Sequence, residues 1–189
     1  MEALLTSTAV VALAEIGDKT QLLAILLATR FRKPLPVILG IFAATIANHF
    51  LAALLGSQVS AILDGHWFRY LIATSFIAMG IWTLIPDKID ELDDKPARFG
   101  AFVTTLIAFF LVEMGDKTQI ATIALGANFH DVVLVTIGTT LGMMLANVPA
   151  VFAGHKLLEH VPLHVVRMIA ASLFIVIGIW VVLETARVI

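Results

Sequence analysis

The sequence contains no cysteine, which excludes disulfide scaffolds, thiol catalysis and thiolate metal sites together. Charge is scarce as well. Asp, Glu, Lys and Arg make up 14% of the 189 residues, against about a quarter in soluble domains. The net charge of -2 gives no electrostatic reason to expect nucleic acid as a partner. There is no phosphate-binding loop, haem motif or nucleophile triad. The start, Met1-Glu2, has no basic stretch of the kind that opens a signal peptide. Ala12-Leu13-Ala14 mimics a cleavage site, but the apolar stretch continues to Ala28, so a membrane helix is expected there instead. What remains is hydrophobicity: 60% of the residues are hydrophobic and the mean hydropathy is +0.99, a balance that suits a lipid bilayer.

Crossing a hydrocarbon core of roughly 30 Å takes about 20 apolar residues. Six such runs occur, at about Ala3–Ala28, Pro34–Gly56, Phe68–Ile85, Gly100–Ala127, Val132–Gly154 and Pro162–Thr185. The expected fold is an all-α membrane protein with six transmembrane helices. The breaks have loop chemistry: Arg30 to Pro34, Asp64 to His66, Asp87 to Arg98, Asn128 to Asp131, and His155 to Val161. Pro34 and Pro162 stand at helix starts, where a missing N–H costs nothing. Pro149 lies inside the fifth run and is expected to kink it or open its backbone. Basic residues then orient the chain. Arg30, Arg32, Lys33, Lys88, Lys95, Arg98, Lys156 and Arg167 fall on one side, with Arg69 and Arg187 on the other. Both termini are therefore expected on the non-cytoplasmic side.

Sliding the sequence along itself gives one dominant register. A shift of 98 residues carries Glu15-Ile16-Gly17-Asp18-Lys19-Thr20-Gln21 onto Glu113-Met114-Gly115-Asp116-Lys117-Thr118-Gln119. The same shift pairs Gly40 with Gly138, Gly56 with Gly154, His66 with His164, Arg69 with Arg167 and Trp82 with Trp180. Hydrophobicity alone can mimic a repeat, but it cannot match Glu, Asp, Lys, His, Arg and Trp. The chain reads as a three-helix repeat at 1–86, an acidic linker at 87–98 and a second three-helix repeat at 99–189. Three spans per half make the two halves enter the membrane from opposite sides. This is the inverted-repeat architecture of many secondary transporters, whose site lies near mid-membrane.

Both motifs fall at that depth. On a continuous helix Glu15 and Asp18 share a face, Gln21 extends the strip, and Lys19 can pair with Glu15. Gly17 lets a neighbouring backbone approach or the helix unwind. Asp or Lys at a helix centre costs roughly 2.5–3.5 kcal/mol each, so such groups pair, face a bundle interior and mark an ion or proton path. Together the copies offer four carboxylates (Glu15, Asp18, Glu113, Asp116), two hydroxyls (Thr20, Thr118) and two amides (Gln21, Gln119). A purely structural role, with Lys19 and Lys117 bridging helices, fits one copy better than two. Oxygen donors without cysteine suit hard divalent ions such as Mn²⁺, Ca²⁺ and Mg²⁺. The carboxylates also titrate, so the same groups can carry metal one way and protons the other.

Other features are weaker. Asn48-His49 and Asn147-Val148-Pro149 fall at nearly matching places, and Asn48 and Asn147 can add ligands or hydrogen-bond between helices, one residue out of register. His66, His130, His155, His160 and His164 sit in loops or at interfaces and read as solvated. Asp87, Asp90, Glu91, Asp93 and Asp94 read as a solvated linker that can also draw cations. Met143-Met144 reads as packing, and Trp82 and Trp180 as interface anchors or packing.

The doubled motif resembles that of the small membrane cation exchangers marked by Glu-x-Gly-Asp-(Lys/Arg)-(Thr/Ser) in each half, a family with bacterial manganese exporters and eukaryotic Golgi cation/proton exchangers. The resemblance spans nearly the whole chain. It implies two inverted three-helix repeats and Mn²⁺ or Ca²⁺ moved in exchange for protons. Its site falls on Glu15, Asp18, Thr20, Gln21, Glu113, Asp116, Thr118 and Gln119. The sequence shows neither the leading span nor the long central loop of the eukaryotic members, which favours a manganese exporter of the bacterial cytoplasmic membrane. A Ca²⁺/H⁺ antiporter of the same architecture and an exporter of basic amino acids are the alternatives. An intramembrane enzyme is the reading from another class, and the twofold motif speaks against it. No cofactor is expected; the partners are the metal substrate, protons and the bilayer, and a homodimer is left open.

Overall fold

The computed structural model describes residues 1–63, 65–85, 99–153 and 163–186. The acidic linker 87–98, with its basic residues Lys88, Lys95 and Arg98, lies outside the described residues, as do Asp64, Gly154, His155, Lys156, His160, Pro162 and Arg187. The described part is all-helical. Its eight helices are α1 Glu2–Glu15, α2 Lys19–Phe31, α3 Pro34–Ile62, α4 His66–Thr83, α5 Ala101–Glu113, α6 Lys117–Phe129, α7 Val132–Ala153 and α8 Leu163–Thr185.

Three of these are long and apolar enough to cross a membrane: α3, α7 and the His164–Thr185 stretch of α8. The expected first and fourth spans are each split in two. α1 stops at Glu15 and α2 starts at Lys19; α5 stops at Glu113 and α6 starts at Lys117. The cause is the motif itself, which builds a turn where an unbroken helix is expected. α7 runs through Pro149 as one helix, and the missing proline N–H leaves the Leu145 carbonyl without its usual helical donor.

The 98-residue register is visible in the elements. α1 and α2 correspond to α5 and α6, α3 to α7, and α4 to α8. Even the stops agree: α2 ends on Arg32 (φ 52) and α6 on His130 (φ 57), each in the left-handed region with its N–H on a carbonyl four residues back. Packing follows the same exchange. α1 lies on α7 while its counterpart α5 lies on α3; α2 touches α7 while α6 lies along α3; α4 and α8 pack on each other. In that last contact Phe76 meets its own register mate Phe174, ring centroids 6.4 Å apart. A Cβ on Gly80 would meet the Ala171 carbonyl at 2.9 Å, and one on Gly178 the Ala73 carbonyl at 2.8 Å.

Small residues bring backbones together where no water is present to drive association. The tightest crossing is α3 on α6. A Cβ on Gly56 would stand 2.0 Å from the Ile123 carbonyl oxygen, and one on Gly126 2.4 Å from that of Ala53. Nothing soft lies there to yield. Gly126→Val is therefore expected to destabilise the protein by about 1–3 kcal/mol through overpacking, read as a lower thermal midpoint of the purified protein in detergent; an unchanged midpoint would show that this crossing can open without loss.

Candidate functional site

Each motif opens as a type II β-turn set between two helices. Ile16 has φ -66 and ψ 115, and Gly17 has φ 80. In the second copy Met114 has φ -65 and ψ 119, and Gly115 has φ 78. These are the angles of the two central residues of that turn, whose third position needs positive φ and so favours glycine. The closing bonds are present: the Asp18 N–H donates to the Glu15 carbonyl at 3.1 Å, and the Asp116 N–H to that of Glu113 at 3.2 Å. The spacing Glu-x-Gly-Asp is thus turn chemistry, with Glu ending one helix and Asp standing at the N-cap of the next.

Neither aspartate caps its own helix through its side chain. The glutamines do related work, reaching back from the third helical position as in a capping box. Gln21 Oε1 accepts from the Gly17 N–H at 2.8 Å, and Gln119 Oε1 from the Gly115 N–H at 2.6 Å. Their amide nitrogens then tie the turns to the opposite half. Gln21 Nε2 donates to the Ala146 carbonyl at 3.0 Å, and Gln119 Nε2 to Asn48 Oδ1 at 3.4 Å. Asn48 Nδ2 also donates to the Phe110 carbonyl at 2.9 Å. Half-helix ends meet at each turn, so unbonded carbonyls of α1 and α5 and N–H groups of α2 and α6 gather there.

The freed aspartates take lysines from across the molecule. Lys19 Nζ lies 2.8 Å from Asp116 Oδ1, and Lys117 Nζ lies 3.3 Å from Asp18 Oδ1. The local Glu15–Lys19 pair expected on a continuous helix does not form, because the turn stands between those residues and rotates Lys19 off that face. As ammonium groups the two lysines have no lone pair for a metal; they are counter-charges. Lys117 also sits over the Trp82 ring at 5.9 Å, which gives that tryptophan a role beyond packing.

The glutamates are held differently. Both are buried. Glu15 Oε1 accepts from Asn147 Nδ2 at 3.3 Å, and Asn147 also donates to the Met143 carbonyl. Glu113 Oε1 accepts from the Thr118 hydroxyl. The second oxygen of each, and the Thr20 hydroxyl, are buried without a hydrogen-bond partner. Glu15 lies within electrostatic reach of Glu113, Asp18 and Asp116. All eight expected site residues thus come to the two turns. Even so, among the described residues no three His, Asp or Glu side chains already form a metal cage; lysines, Asn147 and Thr118 occupy oxygens that an ion would use.

One residue at the site was not singled out from the sequence. His49 is fully buried, and its Nε2 stands 3.9 Å from Glu113 Oε1. The register was the signal that could have found it: His49, not Asn48, is the mate of Asn147.

Comparison with known proteins identifies the family. The profile of the family described as "Divalent cation/proton antiporter GDT1" matches residues 3–91 and 101–188. A "Putative manganese exporter" of Vibrio cholerae is 50% identical over 95% of this chain and 90% of its own length. "GDT1-like protein 5" of Arabidopsis thaliana is 28% identical over 92% of each chain, and "GDT1-like protein sll0615" of Synechocystis is 28% identical over 87% of this chain and 88% of its own. No solved structure matches the chain significantly.

Breaking a buried ion pair from one side costs about 3–5 kcal/mol. Lys19 is 30% exposed, so Lys19→Met is expected to cost less, about 1–3 kcal/mol after solvent screening. Adding Asp116→Asn should recover most of that loss. The four thermal midpoints of the double-mutant cycle check it, and strict additivity would mean that the pair contributes nothing.

Proposed function

Because the chain belongs to the GDT1 family of divalent cation/proton antiporters, we propose that it exports Mn²⁺ across the bacterial cytoplasmic membrane in exchange for protons. The observation that carries this reading is the charge pattern of the site. Four buried carboxylates face two lysines, and the lysines are engaged with the aspartates. Taken by themselves, these six groups carry a formal charge of -2 when ionised, with Arg167 lining a cleft beside Asp18 and Lys117. One divalent cation, or two protons, would balance that charge.

The proposed architecture is six spans in two inverted three-helix repeats, 1–86 and 99–189, joined by 87–98. It is supported by a cavity of ≈ 400 Å³ lined by Glu2, Arg69, Asn128 and Glu184 together. The start of α1, the start of α4 and the ends of α6 and α8 therefore share one end of the bundle. Counterpart helices of the two halves then run in opposite directions. The basic residues favour a non-cytoplasmic location for that end, and with it both termini.

In the proposed cycle, the deprotonated glutamates draw the ion from the cytoplasmic side, and the rest of its shell is drawn from among Asp18, Asp116, the Thr20 and Thr118 hydroxyls and the Gln21 and Gln119 oxygens. Lys19 and Lys117 act as tethered stand-ins: each yields its aspartate as the metal arrives and returns when it leaves. The halves rock to the other opening, where protonation of Glu15 and Glu113 releases the ion. Oxygen donors serve Mn²⁺ and Ca²⁺ alike; the Vibrio relative's description favours manganese.

Expressed in a manganese-sensitive strain that lacks its exporter, the wild-type chain should restore growth and lower cell-associated Mn. Glu15→Gln and Glu113→Gln keep shape and remove the charge, and each is expected to reduce protection at least tenfold at equal membrane abundance. Variants that protect as well as wild type would overturn the site, and a wild type that leaves cell Mn unchanged would overturn the manganese assignment.

A further inference from the structure

The two halves use the same place on their long helices to face the opposite glutamate, but with different chemistry. On α7, Asn147 offers an amide to Glu15 at 3.3 Å. On α3, its register mate His49 offers an imidazole to Glu113, with Nε2 3.9 Å from Oε1. That gap is too long for a hydrogen bond. Two donors bound to one small divalent ion at about 2.1 Å each, however, stand roughly 3 to 4.2 Å apart, and the gap falls inside that range.

Three further observations point the same way. His49 is fully buried, yet neither ring nitrogen has a hydrogen-bond partner. Glu113 Oε2 is buried and unpartnered on the carboxylate that His49 approaches, and Asn147 Oδ1, at the mate position on α7, is buried and unpartnered too. Buried polar atoms ordinarily find partners, and each exception asks for a reason. A packing residue at this place would have no use for two nitrogens, whereas a ligand would use a free lone pair.

We propose that His49 is a ligand to the transported ion on the Glu113 side, and that its nitrogen makes the site select a divalent transition metal over Ca²⁺ and Mg²⁺. Alkaline-earth ions take oxygen shells, while first-row transition ions accept a ring nitrogen, Mn²⁺ less strongly than Fe²⁺, Ni²⁺, Cu²⁺ or Zn²⁺ but more readily than Ca²⁺ or Mg²⁺. Seven or eight oxygens at longer distances would serve calcium, and a ring nitrogen on a rigid helix does not. The inference rests on the cation-export reading and adds to it the origin of the ion preference.

The test uses the purified full-length protein with one equivalent of Mn²⁺. Pulsed electron paramagnetic resonance should detect a directly bound histidine nitrogen, as a coupling that changes isotope when only histidine is ¹⁵N-labelled. His49→Asn, which copies the residue of the other half, and His49→Gln should each abolish that coupling. In sealed proteoliposomes the Mn²⁺:Ca²⁺ selectivity should fall at least tenfold in both variants. An all-oxygen spectrum in the labelled wild type would overturn the proposal without any mutant, so a variant that fails to fold leaves the decision intact. A nitrogen coupling that survives both substitutions would also overturn it. A wild type that neither binds nor moves Mn²⁺ would overturn the export reading along with it.

Discussion

Carboxylates buried in an apolar bundle need a counter-charge, and the way this chain supplies it governs the rest of the site. A lysine next to its own aspartate would settle the charge locally and leave each half self-contained. Here each aspartate takes the lysine of the other half. The two halves thus share buried charge, and each exchange ties one half to the other. The glutamates, left out of that exchange, are the groups with charge still to be answered.

The turn makes the exchange geometrically workable. It ends one half-helix, rotates the next, and swings Lys19 and Lys117 across to the opposite repeat. It also opens backbone groups at the ends of four half-helices. Glutamine answers part of this by accepting from the glycine N–H and donating across the interface. A motif that looks like a set of ligands is therefore equally a piece of backbone engineering. The glutamate and the lysine act at its two edges, with glycine as the joint.

Much of the fold was legible because the repeat carries polar residues, whose agreement at a single shift has no hydrophobic explanation. The eight residues of the proposed site stand out for the same reason. The break in the first and fourth apolar runs was legible only as an alternative at Gly17, since α1 with α2, and α5 with α6, add up to the length of an ordinary span. A local signature did exist: a glycine suited to positive φ, Asp at an N-cap and Gln three residues later. The surrounding apolar run masked it. The lysine partners were misread because the rule for residues four apart holds only along one continuous helix. His49 was passed over because amide was matched with amide, Asn48 with Asn147, where strict register gives His49. Physical equivalence followed position here, not residue type.

The contact between α4 and α8 has a consequence of another kind. Phe76 faces Phe174, and Gly80 and Gly178 each receive the other helix's backbone at nearly the same distance. A contact assembled from one set of parts used twice is indifferent to direction: were the halves to trade conformations, it would return to itself. Whatever preference the molecule has for one face of the membrane must then originate where the copies differ. The differences on view are an imidazole against an amide, one lysine sunk beside a tryptophan and the other partly exposed, and a threonine that bonds its glutamate in only one half. In that sense the repeat supplies the symmetry, and its imperfections supply the bias.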